Sequence, residues 1–246
     1  MTELDGYLLP LSTTVEVRER GARVAVLPVG SFEQHGPFLP LVTDTVVAVT
    51  VARAVAGAWP VLELPPVTIS CSHEHAVWAG TVSISAGTLY AIVNDVAESL
   101  RRSGVDRLVI VNGHGGNYVL SNVVQEAGPA GRRMALFPSE VDWARARAAA
   151  GMRTPVDSDM HAGELETSIL LHAHPRLVRA DYAAHDHLAD DRERMLTVSL
   201  AAYTESGVVG MPSRASADKG GVALASLVES FGGVLGALER DFPASR

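Results

Sequence analysis

The 246-residue chain is poor in several features that would each point to a class of function. It has one cysteine, Cys71, so it can form neither an internal disulfide nor a cysteine-based zinc site. Lysine occurs once, at Lys219, and the net charge is −8, which excludes an extended nucleic-acid surface as the expected partner. Aromatic residues make up 5%, so the core must be built from Val, Leu, Ile and Ala. No run of about 18 apolar residues reads as a membrane span. Met1 to Gly6 carries acids where a signal peptide needs basic residues and then an apolar stretch. These absences predict a cytoplasmic protein with no membrane partner. What remains is ordinary globular composition, 47% hydrophobic and 20% charged, which excludes a disordered chain. The length suits a single domain over 1–246.

Strand and helix patterns alternate along it. Ala22 to Val29 reads as a buried strand ending at Gly30, and Asp106 to Asn112 as a central one. Val61 to Ile69, interrupted by Pro65 and Pro66, reads as an edge. Arg133 to Phe137 is a further short strand. Helices are expected from Asp44 to Ala56, Ala86 to Ser103 (with Ser85 as N-cap), Tyr118 to Ala127, Glu140 to Ala150, Gly163 to His174 and Gly221 to Leu238. The polar stretch from His185 to Arg194 reads as a surface loop. Such alternation predicts an α/β fold, a mostly parallel sheet covered on both faces, with ligands beyond the carboxyl ends of the strands.

Three segments carry candidate chemistry. Glu33 and His35 follow the first strand and are two apart, so in extended chain their side chains point the same way. Asp44 can return to them across the turn at Gly36-Pro37 and Pro40. Alone, Glu-x-His is more often a polar loop with a surface histidine; the glycine and proline brackets raise the metal reading. Gly113-His-Gly-Gly-Asn117 follows the central strand. It lacks the lysine and spacing of a phosphate loop, so His114 reads better as a ligand. His161-Ala-Gly-Glu164-Leu-Glu166 opens a helix. His161 and Glu164, three apart, would share a face, while Glu166 would point roughly 140° from His161 on a regular helix. Capping of the helix dipole is the competing role for both glutamates.

Ser72-His-Glu-His75 is a further cluster. His75, Trp78 and Asn117 are the expected substrate contacts; Trp78 and Trp143 could wall a pocket. His172, His174, His185 and His187 read as surface residues. Three histidines with three or four carboxylates exceed the needs of one tetrahedral ion. Two divalent metals with Asp44 between them, and a deprotonated water, would attack a polarised carbonyl. Glu164 or Glu166 would then carry a proton, and His161 would stabilise charge or protonate the leaving nitrogen.

At these residues the chain resembles the creatininase (creatinine amidohydrolase) family. The resemblance covers Gly30-Ser-x-Glu-Gln-His-Gly-Pro-x-Leu-Pro-Leu-x-Thr-Asp44, Glu74-His75 with Gly80-Thr81, Asn112 to Asn117, and His161-Ala-Gly-Glu-x-Glu-Thr-Ser168. Gly207 to Pro212 and Ala217-x-Lys-Gly220 complete it. It implies a three-layer sandwich, a homo-oligomer, and a dimetal site whose ligands are Glu33, His35, Asp44 (bridging) and His114. Zinc is the first expectation, manganese or iron the alternatives. In creatininase proper a carboxylate two residues after the loop histidine completes the second metal site. Here that position is Gly116. Glu164 is the expected replacement, with His161 and Glu166 catalytic, and the change weighs against creatinine as substrate. Phe38 stands where many members carry histidine, and Met211 where many carry aspartate. The family includes formamide-bond hydrolases and a peptidase that trims the mycofactocin precursor peptide. Cleavage of a non-standard amide or peptide C–N bond, in a small molecule or a short peptide, is therefore the expected function. A metal-retaining binding protein without catalysis is the expectation from another class.

Overall fold

Among the described residues, four strands form one parallel sheet in the order β2-β1-β3-β4: β1 (Val24–Val29), β2 (Val61–Glu63), β3 (Arg107–Asn112) and β4 (Arg133–Phe137). The computed structural model describes residues 9–240; Met1 to Gly6, read above for a targeting signal, lies outside them. Alternate residues of each strand serve opposite faces, as the period of two requires. Val24, Val26, Val109 and Val111 pack on one face against α2 (Thr43–Ala58), α5 (Glu140–Ala149) and α8 (Ala217–Leu238). Ala25, Leu27, Val29, Leu108 and Ile110 pack on the other against α3 (Ala86–Arg102) and α4 (Val119–Ala127). The architecture is thus the expected three layers.

β1 and β3 are central and buried throughout their apolar stretches, whereas β2 is a three-residue edge that stops before Pro65 and Pro66. α6 (Glu164–Ala173) lies outside the sheet and crosses α8 closely. That crossing explains why α8 starts earlier than expected. A Cβ on Gly220 would run into the Ser168 main chain, so Gly220 and Gly221 are packing residues inside the helix and not its breaker. Ser216 caps it by accepting from the Lys219 N–H. A short α1 (Thr14–Arg20), capped by Thr13 and Glu16, precedes the sheet, and α7 (Met195–Val198) lies in the long loop before α8.

Among the described residues one helix, α8, is long and apolar enough to cross a membrane by those two measures. Here Ala223, Leu227, Phe231 and Leu238 bury themselves in the core, and the helix packs on α2, α5 and α6.

Candidate metal centre

The first turn of α2 is wedged between the loops that leave β1 and β3. A Cβ on Gly30 would strike the Thr45 main chain, and one on Gly113 would strike the Asp44 carbonyl. Only glycine permits both approaches. Asp44 therefore stands between Glu33, four residues beyond β1, and His114, two beyond β3. All three are buried. His35 Nε2 lies 2.9 Å from Asp44 Oδ1, His114 Nδ1 lies 2.9 Å from Asp44 Oδ2, and Ser31 Oγ donates to Oδ2 at 2.7 Å. Glu33 Oε1 and Oε2 face His75 Nε2 and His114 Nε2, each at 3.2 Å.

α6 brings in the remaining members. His161 is not helical: it bridges to Val209, and Ala162 turns the chain with φ 52 before the helix begins at Glu164. The 140° separation of a regular helix therefore does not apply. Ala162 N–H donates to Glu166 Oε2 at 2.6 Å, and Glu166 reaches His35 and Asp44. Among the described residues, ligand-type atoms converge within 4.8 Å in three overlapping groups: Glu33–Asp44–His114, His35–Asp44–Glu166 and Glu33–His35–His161.

Glu164 is not among them, which corrects the expectation that it completes the second site. Two positions from Glu166, it points roughly 200° away around the helix. It accepts from Thr154 Oγ1 at 2.6 Å, Thr154 N–H at 2.8 Å and Lys219 Nζ at 2.5 Å. Nor does it share a face with His161, because the turn at Ala162 removes the i, i+3 relation.

The histidines fit a metal in one specific way. His35 Nδ1 donates to the Glu33 carbonyl at 3.1 Å, His114 Nε2 to the Cys71 carbonyl at 2.8 Å, and His161 Nε2 to the Gln34 carbonyl at 2.6 Å. A carbonyl can only accept, so each of those nitrogens carries a proton. The opposite nitrogen of each ring is turned toward a carboxylate: Asp44 for His35 and His114, Glu33 for His161 at 3.7 Å. This is how metal-binding histidines are held.

The charges agree. Burial, reinforced by the Asp44 charge, pushes the Glu33 carboxyl up to about 8, and burial pushes Glu166 up to about 7. For His35, burial opposes the charged ring but Asp44 outweighs it, lifting it to about 9. For His114, burial is outweighed by the Glu33 and Asp44 charges, which lift it to about 10. Burial would raise Asp44, yet His35 and His114 hold it well below the usual range. Both oxygens of Glu33 are buried without a hydrogen bond. Acidic oxygens left in this state are what a divalent cation would satisfy.

Above the cluster opens a cavity of about 390 Å³ lined by Glu74, His75, His114, His161 and Glu166. Asp190, Arg192 and Glu193 line it too, so part of the polar stretch read as a plain surface loop is wall. Two expected substrate contacts lie outside this lining. Asn117 is buried; it ties Cys71 N–H and the Asn112 side chain together and does not line the cavity. Trp78 lies beside the His75 ring, centroids 6.0 Å apart, and is not a lining residue. Trp143 packs in the core. His75 does face the cavity, kept neutral by burial, which lowers it to about 3.

Of the histidines read as surface residues, His172 is exposed and the others are half-buried. His185 stacks on the fully buried Phe38, centroids 5.5 Å apart. Gln34 was missed: its amide donates to the Gly207 carbonyl and reaches His75 Nδ1 at 2.8 Å. Nothing in the structure explains Met211.

The fold and site define an α/β protein with a buried histidine–carboxylate cluster, capable of holding a metal, at the carboxyl end of a parallel sheet and beneath an open cavity. The creatinine amidohydrolase family profile matches residues 11–235, and the chain belongs to the creatininase family, hydrolases of C–N bonds. It is 36% identical over 219 residues to the mycofactocin precursor peptide peptidase of Mycobacterium ulcerans (strain Agy99), covering 83% of this chain and 81% of that one. Among solved structures it is similar to a creatininase described with Mn, with TM-score 0.78 and 26% identity, covering 95% of this chain and 98% of that one. It is also similar to a glutamate-to-glutamine creatininase variant of Zn–Zn type, with TM-score 0.76 and 26% identity, covering 95% and 97%.

Proposed function

We propose that the protein is a dimetal amidohydrolase that cleaves a C–N bond in a short peptide, of the kind found in a mycofactocin precursor. The observation that carries this is the fixing of His35 and His114 by main-chain carbonyls, each with its other nitrogen 2.9 Å from the Asp44 carboxylate. The similarity to the mycobacterial peptidase supports the substrate class. A cavity of about 390 Å³ has room for a short peptide segment.

Glu33 and His114 would hold one divalent ion, His35 and Glu166 the other, with Asp44 shared between them. Zinc suits this donor set, as do manganese and iron. When bound, such ions polarise a carbonyl and make water nucleophilic near neutral pH. Glu166 therefore moves from the proton-carrying role expected of it to a ligand role. His161 changes as well. Its proton sits on Nε2, donated to the Gln34 carbonyl, and burial lowers the tendency of the ring to charge. It presents Nδ1 as an acceptor, suited to orienting an N–H or O–H of the bound pair, and is not an acid. Gln34 sets both rings beside it, His161 through its carbonyl and His75 through its amide. A cytoplasmic location is part of this reading, and the family resemblance carries the expectation of a homo-oligomer.

The test is turnover by protein loaded with Mn²⁺ or Zn²⁺, given the mycofactocin precursor peptide and, separately, creatinine. Peptide cleavage that is lost in Glu33→Ala and His114→Ala is expected. Metal retention with neither substrate cleaved would favour the binding-protein reading instead.

A further inference from the structure

With Glu33, Asp44 and Glu166 turned to metal and His161 an acceptor, neither the glutamate nor the histidine expected to move the proton of hydrolysis is free to do so. The space beside Gly116 suggests where another such group lies. A Cβ on Gly116 would fall on Glu74 Oε1 and His114 Nε2, so the volume a side chain at 116 would enter is already taken by a carboxylate from another segment. Glu74 sits in the turn His73–His75, and its own carbonyl is anchored by Ser199 Oγ at 2.7 Å. Its side chain is only 8% exposed and lines the cavity, with Oε1 3.5 Å from His114 Nε2. Among the described residues no hydrogen-bond donor engages that carboxylate.

We infer that Glu74 is the proton-carrying catalytic carboxylate of this site, delivered by the 73–75 turn to the place that a side chain at position 116 would otherwise fill. As water adds to the carbonyl carbon, forming a C–O bond, Glu74 takes one of its protons. As the C–N bond breaks, Glu74 returns that proton to the departing nitrogen. Amide and water become acid and amine, and the carboxylate is regenerated. This role rests on the hydrolase reading and not on the identity of the substrate.

The test uses the Mn²⁺-loaded full chain on the precursor peptide, or on creatinine if the wild type cleaves only that. The second case would overturn the substrate reading while leaving Glu74 to be judged. Glu74→Gln should bind as much manganese as wild type, with Kd and KM each within about threefold, while kcat falls at least about 100-fold. Glu74→Ala should lose the same activity and regain part of it with added formate, which a merely structural role would not permit. A kcat within about threefold of wild type in Glu74→Gln overturns the inference. So does loss of bound manganese, which would make Glu74 a ligand, whichever substrate is cleaved.

Discussion

Glu164 and Glu166, two residues apart on the first turn of α6, face opposite ways. Glu164 meets Lys219 Nζ at 2.5 Å, while Glu166 joins His35 and Asp44. Lys219 is the only lysine in the chain, and it ties the start of α8 to α6. The sequence shows both glutamates at the head of a helix but not which one turns inward. That depends on the backbone turn at Ala162.

The two glutamates should therefore respond differently to substitution. Glu166→Gln is expected to lower metal affinity by at least about 10- to 100-fold, the cost of losing even an outer partner of a ligand, while Glu164→Gln leaves bound metal unchanged. Metal content per chain after dialysis, by mass spectrometry, reads this directly. Equal losses in both variants would count against the assignment.

Lys219→Met leaves the Glu164 carboxylate, whose side chain is 0% exposed, without its cation. Thr154 still donates, so the cost should lie below the full penalty of an abandoned buried charge, at about 2–3 kcal/mol. Urea unfolding measures it, and a change under about 0.5 kcal/mol would show the pair to be marginal.

Gly113→Ala pushes a methyl against the Asp44 carbonyl and Ala48. Loop and helix must separate, which should cost about 2–3 kcal/mol and weaken metal binding, since His114 follows directly. Gly115→Ala, which meets nothing within 4 Å, should cost less than about 1 kcal/mol and is the control.

His174 is half-buried beside Thr50, and burial, with the Arg53 charge, lowers its pKa. The unfolded chain then binds more protons than the folded one between the two pKa values. The stabilisation is fully present above about pH 6.5 and is lost as pH falls through the lowered folded value. The stability advantage of wild type over His174→Gln should thus shrink from pH 8 to pH 5 in paired urea unfolding curves. An advantage that grows over that range would contradict the sign.

Much of this was legible in the sequence, for physical reasons. β1 and β3 are continuous apolar runs because both their faces are buried, and Glu33, His35, Asp44 and His114 follow strands or open a helix where ligands gather. Less legible was whatever depends on contacts between distant segments. Gly220 looks like a breaker until Ser168 is seen against it. Asn117 sits in a functional motif, yet its amide serves Cys71 and Asn112. Glu74 belonged to a cluster already noted, but only the fold brings its carboxylate into the volume beside Gly116. α1 has no buried residue and hence no apolar period; its Thr13–Glu16 capping box was the one available sign.

The central claim is that Asp44 is shared by two metals, with Glu33 and His114 on one side and His35 and Glu166 on the other. A crystal structure of Mn²⁺-loaded protein with anomalous data collected at the manganese edge tests it most directly. The account predicts two peaks flanking the Asp44 carboxylate, the second in contact with Glu166, and Glu164 still paired to Lys219. A single peak, or one bound by Glu164, would contradict it.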